Sequence, residues 1–152
     1  MNKRFLFVVA VVLVAVALFL LFGVSISECN SLPSYNRTIC VTNAALRSQN
    51  PDVCNSIGDS VDRSSCIKGV AIDSNNSAIC DRIADQKILD SCLLEVARRS
   101  GDVALCGRIL SGTKRDECYS WLASERGNAS FCGFVSEGNR EACFSIAAAG
   151  KQ

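Results

Sequence analysis

DVALCGRILSGTKRDECYSWLASERG, residues 102–127, is one complete unit of a repeat that occupies most of the chain. Its two cysteines, Cys106 and Cys118, are 12 positions apart, and Cys132 follows 14 positions later, so the unit closes at 26 residues. All ten cysteines keep this alternation, with spacings of 11, 14, 12, 14, 12, 14, 12, 14 and 11 residues. A fixed period of this length indicates stacked structural repeats.

Alignment of the chain on itself at 26 residues predicts two helices in each unit. The first and shorter helix begins at a residue whose side chain can cap free backbone amides: Asn50, Asn76, Asp102 and Asn128. After a break such as residues 111–113, a longer helix carries the second cysteine and an apolar stripe. Gly101 and Gly127 precede the next cap, as expected of a left-handed helix end. No segment alternates like a half-buried strand, so we expect an all-α fold, an α-solenoid of about five helical hairpins whose first hairpin is partial.

The cysteines indicate a disulfide framework, because their number is even and the apolar N-terminal run described below predicts export. Cys106 and Cys118 each lie six residues from Gly112, the middle of a predicted hairpin loop, so antiparallel helices bring them level. The predicted pairs are Cys29–Cys40, Cys54–Cys66, Cys80–Cys92, Cys106–Cys118 and Cys132–Cys143. Each closes a loop of roughly 13 residues, which stabilises the fold by about 3 kcal/mol in the chain-entropy model.

Metal and redox chemistry are the alternatives for these cysteines. Zinc and iron–sulfur sites usually contain close C-x2-C pairs, which the chain lacks, and it has no histidine. A thiol oxidoreductase would carry a C-x-x-C pair. We therefore expect neither a metal nor a cofactor.

Residues 5–24 are 20 consecutive residues without a charged or polar side chain, and Lys3 and Arg4 precede them. Such a helix is about 30 Å long and matches the hydrocarbon thickness of a bilayer. The two cations predict that residues 1–4 are cytoplasmic, that 5–24 are a transmembrane signal anchor, that 25–28 are a tether and that 29–152 form an extracytoplasmic domain. The alternative is a signal peptide cleaved near Ser27, although its apolar region would be shorter.

Charge and composition argue against nucleic-acid binding and catalysis. Without Lys3 and Arg4, the chain has 14 of its 16 Lys and Arg residues and all 15 Asp and Glu residues, so the two charges nearly balance. No basic block is present to neutralise phosphates. The sequence offers no Ser-His-Asp or Cys-His set and no Gly-rich phosphate loop. We therefore expect that the protein is not an enzyme.

Three sequons, at Asn36, Asn75 and Asn128, are candidate glycosylation sites. The simpler interpretation is that Asn128 caps a helix and that the other two are turn residues. Four apolar residues near the C-terminal end are candidate partner-binding residues, because aromatic side chains anchor interfaces: Tyr119, Trp121, Phe144 and Ile146. The alternative is that they fill the end of the core.

Arginine recurs three positions before the second cysteine of a unit, at Arg37, Arg63, Arg115 and Arg140. A cation near a helix start is mildly unfavourable, so recurrence predicts a partner. We expect ion pairs with acidic residues of the neighbouring unit, such as Asp116 or Glu141. A charged ligand-binding row is the alternative.

Leu105-Cys106, then RDECY at residues 115–119 and Leu122-Ala123, form a pattern that resembles cysteine-paired helical repeats of uncharacterised exported archaeal proteins. It is also similar to the tetratricopeptide and Sel1-like class of α-solenoids, with a shorter unit. The resemblance covers residues 29–149 and implies stacked hairpins without implying an activity.

Together these features predict a membrane-tethered extracytoplasmic interaction or scaffold module, bound to the bilayer through residues 5–24 and to a protein partner through its repeats. One alternative is a structural subunit of a surface layer or extracellular filament that associates with itself. A second alternative, after cleavage near residue 27, is a secreted soluble binding protein.

Overall fold

The computed structural model of the protein describes Val12 and residues 29–150. Apart from Val12, the predicted span at residues 5–24 lies outside the described residues, as does the tether at 25–28. None of the helices in the described part of the chain is both long enough and apolar enough to cross a membrane.

Long and short helices alternate along the described chain. The long helices are α1 (Ser34–Ser48), α2 (Ser60–Asp73), α4 (Gln86–Ser100), α6 (Gly112–Glu125) and α7 (Glu137–Ala149). The short ones are the 3₁₀ helix η1 (Pro51–Ser56), α3 (Ser77–Cys80), α5 (Ala104–Arg108) and the 3₁₀ helix η2 (Ala129–Phe134). Residues 29–150 contain no strand, which confirms the all-α prediction. The five units are residues 29–49, 50–75, 76–101, 102–127 and 128–150.

Three predicted caps, Asn50, Asn76 and Asn128, are the N-cap residues of their short helices, whereas Asp102 lies one residue before Val103, the N-cap of α5. A side-chain oxygen accepts the backbone N–H two residues further on, at 2.9 to 3.1 Å, at each predicted cap: Asn50, Asn76, Asp102 and Asn128. A residue with positive φ precedes each cap: Gln49, Asn75, Gly101 and Gly127. The short helices have only four to six residues. Segments of this length do not persist alone, so they depend on what binds them to the long helices.

Five disulfides provide that connection, and their pairs are the predicted ones. Their Cα atoms are 5.5 to 5.8 Å apart. In units two to five each disulfide joins a short helix to the long helix that follows it. Every cysteine except the half-buried Cys40 is buried, so a row of disulfides lies in the core.

Each of the first four long helices packs against the short helix and the long helix of the next unit. The predicted apolar stripe forms this contact and is buried in units two to four: Ile67, Val70 and Ala71; Leu93, Val96 and Ala97; Tyr119, Leu122 and Ala123. In α7 the equivalent residues are Phe144, Ala147 and Ala148, of which only Ala147 is buried. The outer face of α7 therefore carries a packing surface that no other described unit covers.

Candidate functional site

At the junction of the third and fourth units, Asp90 of α4 binds the start of the next long helix. Its carboxylate accepts the backbone N–H groups of Leu110 at 3.1 Å and Ser111 at 2.8 Å, and the side-chain amide of Gln86 at 2.8 Å. Asp90 is only 3% exposed. Ser111 is the N-cap residue of α6, but its own side chain makes no capping bond. Asp90 therefore satisfies backbone amides at the start of a helix in the next unit.

The junction of the fourth and fifth units repeats this arrangement with Asp116 of α6. Asp116 accepts the backbone N–H of Ser136 at 3.0 Å, the Ser136 hydroxyl, and Asn139 Nδ2 at 2.9 Å. Ser136 is the N-cap residue of α7, and it too makes no side-chain cap of its own. We call this arrangement, in which the aspartate of one unit caps the next unit's long helix, a cross-unit cap.

Both carboxylates are held in their ionised form. Burial raises the pKa of Asp90, but the N–H groups of Leu110 and Ser111, the amide of Gln86 and the charge of Lys114 outweigh it, so the pKa lies below its ordinary value.

Burial likewise raises the pKa of Asp116. The side chains of Ser136 and Asn139, the Ser136 N–H and the charge of Arg115 outweigh burial and lower the pKa below its ordinary value. Loop amides at this position thus stabilise an anion, two of them at Asp90 and one at Asp116.

The first two junctions use a different arrangement, the self-cap. The positions equivalent to Asp90 are Thr38 and Ser64, whose hydroxyls donate to carbonyls of their own helices. The following helices are capped by their own residues: Asp59 accepts the N–H groups of residues 61 and 62, and Asp85 accepts that of residue 88.

A groove of about 620 Å³ opens at the first of these junctions, between the start of α1 and the loop before α2. Its lining includes Tyr35, Arg37, Thr38, Ile57, Gly58 and Asp62. The Nε atom of Arg37 is buried there and has no hydrogen-bond partner.

Within residues 29–150 none of the four recurring arginines forms an ion pair, so the prediction of ion pairs is wrong. Arg63 donates from Nε to the carbonyl of Ile57 and from Nη2 to that of Gly58, both at 3.0 Å. Arg140 donates to the carbonyl of Val135 at 3.4 Å. The loop before each long helix is extended, so its carbonyl groups lack helical partners and accept from the arginine one turn into the helix.

Asp116 and Glu141, the acidic residues suggested as partners of these arginines, lie in other surroundings. Asp116 forms the cross-unit cap, and Glu141 is exposed on α7. In the part of the chain that the structure describes, neighbouring units are joined by the ion pairs Arg82–Asp52, Arg108–Asp81 and Arg98–Glu117.

Of the candidate partner-binding residues, Tyr119 and Trp121 pack with the core. Tyr119 is 8% exposed, and its ring stacks on Phe134 with the centroids 5.1 Å apart. Trp121 is half-buried against the core, and the guanidinium of Arg98 lies 5.9 Å from its ring centroid. Tyr119 is therefore not part of an exposed patch, as the core-filling alternative expects.

Phe144 and Ile146 of α7 are the exposed members of the set, 46% and 48% exposed. Phe134 of η2 is 63% exposed. We call the uncovered side of α7 that carries Phe144 the C-terminal apolar face; Ile146, two positions further along the helix, lies on a different side.

The three sequon asparagines are all exposed. Asn75 lies in a left-handed turn, and Asn128 caps η2 and also accepts the Ser130 hydroxyl at 2.7 Å. Asn36 lies inside α1, so the expectation of a turn is wrong for that residue. Glycosylation stays a prediction.

Sequence reasoning missed the cross-unit caps. It treated Asp116 as an arginine partner and overlooked Asp90. A signal is present nonetheless, because an aspartate two positions before the second cysteine occurs in the third and fourth units, and a serine immediately precedes the long helix of the unit after each.

No cluster of His, Cys, Asp or Glu that could hold a metal ion occurs within residues 29–150. Comparisons with protein-family models, with curated proteins and with solved structures found no match to this chain.

Proposed function

We propose that the chain is a membrane-tethered extracytoplasmic module that binds a protein partner and has no catalytic activity. In this proposal residues 5–24 anchor it in the cell membrane with the N-terminus in the cytoplasm, and the hairpins form a short α-solenoid. Packing of each long helix on the next unit supports the α-solenoid, since contact between neighbouring units defines such repeats.

The observation that carries the proposal is the change in exposure of one repeat position. The residue after the second cysteine is 4% exposed at Ile67, 2% at Leu93 and 8% at Tyr119, but 46% at Phe144. Helical repeats bury this position against a neighbour, so Phe144 has the chemistry of an interface residue. Phe134 and Ile146 are further exposed apolar residues of the same unit.

The test is partner capture on the native cell surface by chemical crosslinking. Phe144→Ser should lower the yield of the crosslinked partner at least about tenfold, as expected of an interface anchor. Val61→Ser is the matched control, because Val61 is another exposed apolar residue, 56% exposed on α2. Equal capture by the Phe144 variant and the wild type would contradict the proposal.

A second candidate is a structural subunit of a surface layer or filament. The first unit also exposes apolar side chains, namely Leu32, Tyr35 and Ile39, which are 40%, 76% and 44% exposed. Contact between this surface and the C-terminal apolar face of another copy would join different surfaces head to tail, and such contacts produce rings or open filaments.

Sedimentation of the full chain in detergent micelles separates the two candidates. A subunit should form species that grow with protein concentration, and Tyr35→Ser and Phe144→Ser should each stop that growth. A monomer at all concentrations would contradict the subunit and leave the partner-binding module.

A further inference from the structure

The groove at the first junction contains the donors of a cross-unit cap without its acceptor. Gly58 and Asp59 lie eight and seven positions before the second cysteine of their unit, as Leu110 and Ser111 do in theirs. The N–H groups of Leu110 and Ser111 bind the carboxylate of Asp90. Those of Gly58 and Asp59 have no acceptor in the described part of the chain.

The missing acceptor is explained by Thr38, which stands where Asp90 stands two units later. The hydroxyl of Thr38 donates to the carbonyl of Ser34 at 3.3 Å, within its own helix. It therefore leaves the two loop amides without a partner and leaves the groove open.

Arg37 adds a cation to the same groove. Its Nε atom is buried without a hydrogen-bond partner, and within residues 29–150 its guanidinium forms no ion pair. The guanidinium lines the groove and carries a charge without an ion pair, so an anion in the groove would gain from both the arginine and the loop amides.

The carboxylates of Asp59 and Asp62 also line the groove, and their negative charges limit which anion can bind there. Asp59 caps α2 by accepting the N–H groups of Val61 and Asp62, both at 2.9 Å, so its charge is already stabilised. The carboxylate of Asp62 is exposed and has no partner in the described structure. A ligand with a cation beside its carboxylate would satisfy Asp62 as well.

We infer that this groove binds a small zwitterion of the α-amino acid class. Its carboxylate takes the place that an aspartate side chain occupies at the third and fourth junctions, bound by the N–H groups of Gly58 and Asp59 and by Arg37. Its ammonium group faces Asp62. This site goes beyond the proposed partner binding, because it takes a small molecule and lies on the first two units.

The test uses the ¹⁵N-labelled full chain in detergent micelles, with glycine as the probe and amide chemical shifts as the readout. Glycine in the tens of millimolar should shift the Gly58 and Asp59 amides to saturation. The Leu110 and Ser111 amides serve as the internal control and should not move, since Asp90 already binds them. Acetate should bind several-fold more weakly, and methylammonium should not saturate these amides. No saturable shift with glycine, or an equal response to methylammonium, would overturn the inference.

Two variants with one control test the geometry. Thr38→Asp supplies the missing carboxylate from the protein itself, so the Gly58 and Asp59 amides should lose their response to glycine. Arg37→Gln should weaken glycine binding about tenfold, the loss expected for one charged hydrogen bond. Thr38→Val has nearly the shape of threonine but no carboxylate, and it should bind glycine like the wild type. Undiminished glycine binding by both Thr38→Asp and Arg37→Gln would contradict the proposed binding site.

Discussion

The first two junctions between units and the last two start the next long helix in different ways. At the last two, Asp90 and Asp116 cap a helix that belongs to the following unit. At the first two, Asp59 and Asp85 cap their own helices, and within residues 29–150 no side chain of the preceding unit takes part in the cap. The disulfides have the same placement in both regions.

This difference teaches that similar repeats are coupled to different degrees. A self-cap stabilises one helix and does not depend on the neighbouring unit. A cross-unit cap is lost when two units separate, so it makes their folding interdependent. The first region also leaves the groove beside Arg37, where a ligand can replace the missing carboxylate.

The largest effect should come from the disulfides, which the two regions share. Cys54→Ser with Cys66→Ser, and Cys106→Ser with Cys118→Ser, should each lower the free energy of unfolding by about 3 kcal/mol. Urea denaturation of each double variant measures the loss. Similar losses of unfolding free energy would show that the two regions differ through their caps. A much larger loss in one region would show that they differ through their disulfides.

Removal of a cross-unit cap should have the next largest effect. Asp116→Ala leaves the Ser136 N–H without an acceptor and breaks the bond from Asn139, which should cost about 2 to 3 kcal/mol in the free energy of unfolding. Ser64→Ala is the matched control at a self-capped junction, and it should cost less than about 1 kcal/mol. Equal costs in urea denaturation would abolish the distinction between the two kinds of junction.

Acid should weaken the cross-unit caps through Asp90 and Asp116, whose pKa values lie below the ordinary value. A carboxyl with a lowered folded pKa contributes stability that is fully present above its unfolded pKa of about 3.9. That stability is lost as the pH falls through the folded pKa. The wild type should therefore lose stability more steeply below about pH 4 than the variant Asp90→Asn with Asp116→Asn, measured as urea midpoints. Parallel curves for the two proteins would contradict this role.

The smallest effect should be the transfer of a cross-unit cap to the first junction. Thr38→Asp combined with Asp59→Ser recreates the pairing of Asp90 with Ser111. A double-mutant cycle of unfolding free energies should give a favourable coupling of about 1 kcal/mol between the two changes. Additive effects of the two substitutions would show that the cap needs more of its surroundings than these two residues.

Much of the fold is predictable because its signals are local. Asn76 and Asn128 cap the residues beside them, and Gly101 takes the left-handed conformation whatever unit follows. The disulfide pairs follow from equal distances to a hairpin loop, as for Cys106 and Cys118 about Gly112. Such features depend on backbone geometry within a few residues of one another.

The functional surfaces depend on which unit lies beside which residue, and the sequence alone was a poor guide to them. Asp116 was expected to face an arginine but faces the next loop, because the register between packed helices brings Ser136 to its carboxylate. The bonds of Arg63 likewise follow from the extended loop before its helix.

By itself the sequence determined the repeat, the disulfides, the caps and the all-α class, because each follows from the spacing of a few residue types along the chain. Only the tertiary structure decided exposure. Tyr119 and Phe144 hold the same position in their units, yet one is 8% and the other 46% exposed. The physical reason is that a side chain is buried by its neighbours, and those two positions differ only in whether a described unit packs against them.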